Sequence, residues 1–114
     1  MASIAPLNEF KSLPYDVTTS PTIIYTTPIA VATIVLKIQV ANVSTDTENI
    51  SAVTVSHVRG TKRTRVIYNA PVLANDFSIV SDGKFVLQEG DSLEVSGNAN
   101  STLEMIVSYL ETSA

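Results

Sequence analysis

From residue 17 onward the chain is written in short runs where apolar and polar side chains alternate, separated by corners of Gly, Pro, Asn, Asp and Ser. A period of two sends successive side chains to opposite faces, so each run predicts a β-strand with one buried face. The densest example is KFVLQEGDSLEVSG at residues 84–97. Phe85 and Leu87 alternate with Val86 and Gln88, Glu89-Gly90-Asp91 interrupts, and Leu93 and Val95 alternate with Ser92, Glu94 and Ser96. That pattern predicts a hairpin, with Gly90 free to take positive φ and Asp91 bonding its own backbone across the turn.

Other runs repeat the theme. TIIYT at residues 22–26 is β-branched and aromatic, and lies between prolines. Residues 33–41 predict the central core strand, with Ile34, Leu36, Ile38 and Val40 on one face and Thr33, Lys37 and Gln39 among those on the other. NVSTDTEN at 42–49 is a polar loop. In residues 50–59, Val53, Val55 and His57 share one side and Thr54, Ser56 and Val58 the other. Gly60-Thr61 turns into a strand at 62–68, and Asn69-Ala70-Pro71 is a break. A short strand at 77–80 ends in a turn at Ser81-Asp82-Gly83, and residues 101–110 carry Leu103, Met105, Val107 and Tyr109 on one face.

No run has a helical period. The expectation is an all-β, antiparallel β-sandwich of eight or nine short strands, jelly-roll or immunoglobulin-like in topology, over residues 17–114. Residues 1–16 read as an extended N-terminal arm, because Pro6 and Pro14 exclude a regular helix or a central strand. Phe10 and Leu13 either dock this arm on a neighbour or belong to a partly ordered tail.

Composition changes the picture in one respect. Hydrophobic residues make up 45% of the 114 and charged residues only 16%, less charge than a solitary soluble domain usually carries. Homo-oligomerisation or membership of an assembly accounts for that, and so does an all-β core with Ser/Thr-rich faces. The net charge of −4 argues against nucleic acid and anionic lipid as partners. There is no cysteine, which excludes disulfide and thiolate–metal frameworks. The N-terminus lacks the basic and apolar regions of a signal peptide, and the apolar-rich run at 28–41 is broken by Lys37 and Gln39 well short of a membrane span. The expected place of synthesis is a cytoplasm, with no membrane partner.

Candidate chemistry is sparse. His57 is the one histidine, and its place after Val53 and Val55 suits a packed or edge residue better than a general base. The pairs Asp46/Glu48 and Glu89/Asp91 lack calcium-loop spacing, and no phosphate-cradling glycine loop or nucleophile elbow occurs. No catalytic, cofactor-binding or metal-ligating residue is expected, no cofactor, and no enzyme activity. The charge cluster is Arg59-Gly60-Thr61-Lys62-Arg63-Thr64-Arg65, which holds four of the seven basic residues. Arg59, Lys62, Arg63 and Arg65 either dock electrostatically on an acidic patch of another subunit or form a solvated tip that blocks edge-to-edge aggregation. Nucleic acid is disfavoured, since the cluster has no aromatic platform.

Five pieces, taken in order, resemble a family of small tailed-bacteriophage virion proteins of the marine and cyanophage type. They are TTSPTIIYTTP at 18–28, VLKIQVAN at 35–42, NAPVLA at 69–74, GKFVLQEGDSLEV at 83–95 and VSYLE at 107–111. The resemblance covers about residues 17–111 and leaves out the arm and the basic hairpin. It implies a virion structural protein: a β-sandwich on the capsid as a decoration or cementing module, or a neck, tail or fibre-attachment subunit. It further implies trimers or rings that meet other virion proteins, such as the major capsid or neck/tail protein, and it supplies no catalytic residue. A carbohydrate- or receptor-binding sandwich is the alternative of another class. It is disfavoured by the absence of tryptophan and by aromatics in strand positions that read as buried.

Overall fold

The computed structural model describes residues 8–81 and 84–113. The first seven residues of the expected arm and the turn expected at Asp82-Gly83 lie outside them. Nine strands form two antiparallel sheets: β1 (Asn8–Asp16), β2 (Thr22–Thr26), β3 (Val31–Asn42), β4 (Ile50–Arg59), β5 (Lys62–Leu73), β6 (Phe77–Ser81), β7 (Phe85–Leu87), β8 (Ser92–Gly97) and β9 (Leu103–Ser113). The front sheet has the order β1-β9-β3-β6, with β7 also on β3, and the back sheet the order β2-β8-β4-β5. Because β6 pairs with residues 38–41 of β3 and β7 with residues 33–35, the two act as one interrupted edge strand. Counted that way, the order is that of the eight-stranded jelly roll, which decides between the two expected topologies.

The core lies between the sheets. Val35, Ile38, Val40, Leu87, Leu103 and Val107 of the front sheet meet Val53, Val55, Leu93 and Val95 of the back sheet, all essentially buried. Each such side chain contributes about 1.5–3 kcal/mol relative to exposure. β9 follows its expected alternation, with Leu103, Met105, Val107 and Tyr109 all buried.

Four local expectations are corrected. Residues 84–97 are not a hairpin: β7 pairs with β3 in the front sheet, and β8 pairs with β2 and β4 in the back sheet. The Gly90 turn is a crossover that delivers Leu87 and Leu93 to the same core from opposite sides. Its chemistry is as expected, with Gly90 at φ 84° and the Asp91 carboxylate accepting from the Gln88 N–H at 2.8 Å.

The face of β3 changes part-way along. Val35 pairs with Tyr109 and Lys37 with Ser108, so Leu36 is the extra residue of a β-bulge. Before the bulge Thr33 and Val35 point inward; after it Ile38, Val40 and Asn42 do. Ile34 and Leu36 therefore leave the core face predicted for them.

The third correction is at residues 69–71, where β5 runs on without a break. Asn69, at φ 51°, sits where β5 gains a residue over β4 between Ala70 and Ile67. Its N–H is met by the Thr54 hydroxyl at 3.0 Å. Pro71 is tolerated because β5 is an edge strand.

Finally, residues 8–16 of the expected arm are edge strand β1, paired with β9 in unbroken register from Asn8↔Thr112 to Asp16↔Glu104. Pro14 excludes a central position, not an edge one.

Candidate functional site

The two groups of predicted contact residues sit on different sheets and are not brought together. Phe10 and Leu13 lie on β1, at one edge of the front sheet, while Arg59, Lys62, Arg63 and Arg65 lie on the β4–β5 hairpin of the back sheet. Phe10 is 78% exposed, whereas Leu13 points inward and packs against the core. Alternation along β1 separates them, since residues three apart on a strand face opposite ways.

Much of the basic hairpin is neutralised within the chain. The Arg59 guanidinium donates from Nε to Asp91 Oδ1 at 2.9 Å and from Nη2 to Oδ2 at 2.8 Å. Arg63 forks in the same way onto Glu94, at 2.7 and 3.0 Å. Arg65 lies 5.6 Å from the centroid of the exposed Tyr68 ring, and Lys62 is exposed at the start of β5. Lys62 and Arg65 are thus the two of the four that no described carboxylate pairs with. Aromatic exposure also differs from expectation, because Phe10, Tyr68 and Phe77 are largely exposed.

Two buried carboxylates hold the hairpin end of the sandwich together. Asp91, 2% exposed, accepts from Arg59, from the Gln88 N–H, and from His57 Nε2 at 2.9 Å. The Arg59 bonds, with those of Gln88 and His57, hold its carboxyl well below the usual range against the opposing effect of burial. His57 is therefore a packed residue at the end of β4 that donates to a carboxylate. Glu111, 4% exposed, accepts from Lys11 Nζ at 2.7 Å and from the Tyr25 hydroxyl. Burial pushes Glu111 up, but Lys11 and Tyr25 outweigh it and hold the carboxyl below its ordinary value. Tyr25, which also meets the Thr33 hydroxyl at 2.7 Å, is pushed up by burial and by Glu111. In both clusters the carboxylate is buried and its partners come from the same chain, with Lys11 and Arg59 reaching it from the surface. Among the described residues no three His, Cys, Asp or Glu side chains gather as a metal site.

The surface that sequence reasoning missed is the outer face of the front sheet. Directly paired residues share a face, so Phe10 stands beside Leu110, Leu110 beside Ile34, and Ile34 beside Val86. This is an apolar row that crosses β1, β9, β3 and β7. A second row runs Pro14, Ile106, Gln39, Ile79, and Phe77 lies beside Ala41. Phe10, Phe77, Ile79, Val86 and Ile106 account for five of the twelve exposed large apolar side chains among the described residues. A readable signal existed: β9 carries Ile106 and Leu110 in the phase opposite to its core residues. A strand apolar in both phases is a strand covered on both sides.

The loop end of the molecule is acidic. Asp16 and Glu104 are directly opposite on the outer face, where like charges destabilise the pair. Asp46, Glu48 and Asp76 occupy the neighbouring loops, and residues 42–50, 73–77 and 97–104 contain no Lys or Arg. A groove of about 370 Å³ crosses the outer face between Pro14, Asp16, Gln39, Ala41, Glu104 and Ile106.

Comparison with protein-family profiles and with curated proteins returns no match. Two solved structures are similar. One is a protein of Bacillus endospore appendages, described as a novel family of disulfide-linked pili, with TM-score 0.56 and 12% identity over 99% of this chain and 96% of that one. The other is a pentameric capsid protein isolated from metagenomic phage sequences, with TM-score 0.45 and 17% identity over 90% of this chain and 60% of that one. The first likeness is one of fold. It spans nearly the whole of both chains, so β1 and the basic hairpin fall within the shared architecture.

Proposed function

We propose that the chain is a non-enzymatic structural subunit of a bacteriophage particle, a jelly-roll module that decorates or cements the capsid by binding other virion proteins. The observation that carries this reading is the apolar outer face of the front sheet, on a sandwich whose buried ionisable groups are tied to one another. A face of that kind is a surface for protein. The motif resemblance over residues 17–111 supports the phage setting. Binding only to the assembled particle adds association free energy to it by mass action, which is how a cementing protein stabilises a shell. Without cysteine in these residues, their contacts are not disulfide-linked.

Imaging purified particles with and without the tagged chain tests the reading. Density on the shell, and lower thermal stability of particles that lack the chain, are expected. Density at the neck, tail or fibre base would move the subunit there, and bare particles of unchanged stability would overturn the cementing role. Carbohydrate recognition is a second reading favoured by one observation, the exposed Tyr68 with Arg65 against its ring. Binding on a glycan array that is lost in Tyr68→Ala would support it.

A further inference from the structure

Resting on the reading of the front sheet's outer face as a protein-binding surface, we propose that its first occupant is a second copy of the same chain. The two copies pack face to face about a two-fold axis that crosses the strands near Ile106 and Ser108.

Area is the first argument. Four strand positions about 4.8 Å apart, over about nine residues at 3.4 Å each, give a footprint of roughly 600 Å² per copy. Two such faces bury about 1,200 Å², the size at which specific stable interfaces begin. Aligned sheet-on-sheet packing accommodates their twist.

Charge selects the partner and the direction. The face carries carboxylates at one end, Asp16 and Glu104, and a cation at its middle, Lys37, which is exposed and opposite Ser108. If the strands of the two copies ran the same way, the two acidic ends would be superposed. Reversing them about an axis near Ile106 and Ser108 moves each acidic pair off its counterpart and brings it within reach of the other copy's Lys37. The same operation sets Val86 of one copy over Phe77 of the other, because β6 and β7 lie along the same edge of β3. The same reversal lays Asp16 and Glu104 over the other copy's Phe10 and Leu110. The apolar complement therefore lies along the β6 and β7 edge, and Lys37 supplies the counter-charge that a two-fold contact requires.

The absence of native cysteine allows a clean test. Ile106→Cys, near the axis, is expected to cross-link between copies with a short bis-maleimide reagent that spans the roughly 10 Å between packed sheets, whereas Val58→Cys on the outer face of the back sheet is not. Analytical ultracentrifugation of the unmodified chain is expected to show dimers. Lys37→Glu should weaken pairing by about tenfold, and adding Glu104→Lys should restore much of it. All of these positions are at least partly exposed, so circular dichroism should be unchanged. A monomer at about 100 μM, equal cross-linking at both cysteines, or no effect of Lys37→Glu would overturn the proposal. A monomer that still joins particles would overturn the pairing and leave the structural role intact. A dimer that joins no particle would do the reverse.

Discussion

Arg59 and Asp91 meet through two parallel hydrogen bonds, at 2.9 and 2.8 Å, across 32 residues of sequence. The contact ties the end of β4 to the crossover between the sheets. Asp91 also holds the β2–β3 connection through its main chain, since its carbonyl accepts from the Thr27 N–H at 2.9 Å. Asp91→Asn keeps the size of the side chain but loses the charge-assisted fork. It should cost about 2–4 kcal/mol at pH 7, measured by urea unfolding.

The same carboxylate sets an acid limit. Its folded pKa lies below the ordinary value of 3.8, so its contribution is complete above that value and is lost as pH falls through the folded value. The stability difference between the parent and Asp91→Asn proteins should be smaller at pH 2.5 than at pH 7, with part of it remaining. An equal difference at both would mean that the carboxylate is not held as described.

Lys11 and Glu111 fasten edge strand β1 to β9, with Nζ 2.7 Å from Oε1. Glu111 is depressed, so its contribution is present above about 4.5 and fades as pH falls through the folded value. Lys11 is raised by Glu111, so its contribution is full below 10.5 and fades as pH rises through the folded value. In Lys11→Met the burial of Glu111 loses its main opposition, and NMR titration should show the Glu111 pKa rising. Amide exchange along β1 should speed up at neutral pH. An unmoved Glu111 would rule out Lys11 as the group that holds it.

Thr27 is 2% exposed, and its hydroxyl has no hydrogen-bond partner among the described residues. A buried hydroxyl without a partner carries a desolvation cost that valine does not. Thr27→Val should therefore stabilise by about 1 kcal/mol, read as a rise in melting temperature. A fall would show that the hydroxyl is satisfied in solution.

A Cβ at Gly97 would lie 2.8 Å from Val17 Cγ1 and 3.3 Å from the Ala52 carbonyl oxygen. Gly97→Ala should cost about 1–3 kcal/mol by overpacking. Val17→Ala opens space at the same point at its own cavity cost, so the double variant should lose at least about 1 kcal/mol less than the two single losses combined. Strict additivity would show that the backbone contact, not Val17, carries the strain.

How much of this was legible in the sequence depends on whether a feature is local. Alternation at Leu103, Met105, Val107 and Tyr109 reports the inward face of β9 directly, and Gly90 reports its own φ. The bulge at Leu36 cannot be read in the same way. One extra residue is defined against the partner strand, and β3 is apolar in both phases around it. The sheet assignment of β7 and β8 was hidden for a related reason, since alternation says which way Leu87 and Leu93 point but not which strand lies beside them. The basic hairpin read as a free cluster because the acids that meet Arg59 and Arg63, Asp91 and Glu94, lie some thirty residues on. The outer face was overlooked by assigning one apolar phase per strand.

The pairing of β1 with β9, from Asn8↔Thr112 to Asp16↔Glu104, bears on how the protein is made. β9 lies between β1 and β3, yet it leaves the ribosome after every other strand. Until then β1 and β3 have no neighbour to join them, and β3 waits with one open edge. Such ordering makes folding of the sandwich late and slow, governed by loop closure between its first and last described strands. The nascent chain is most exposed to aggregation in that interval, so chaperone dependence during overexpression should track the translation of the last strand.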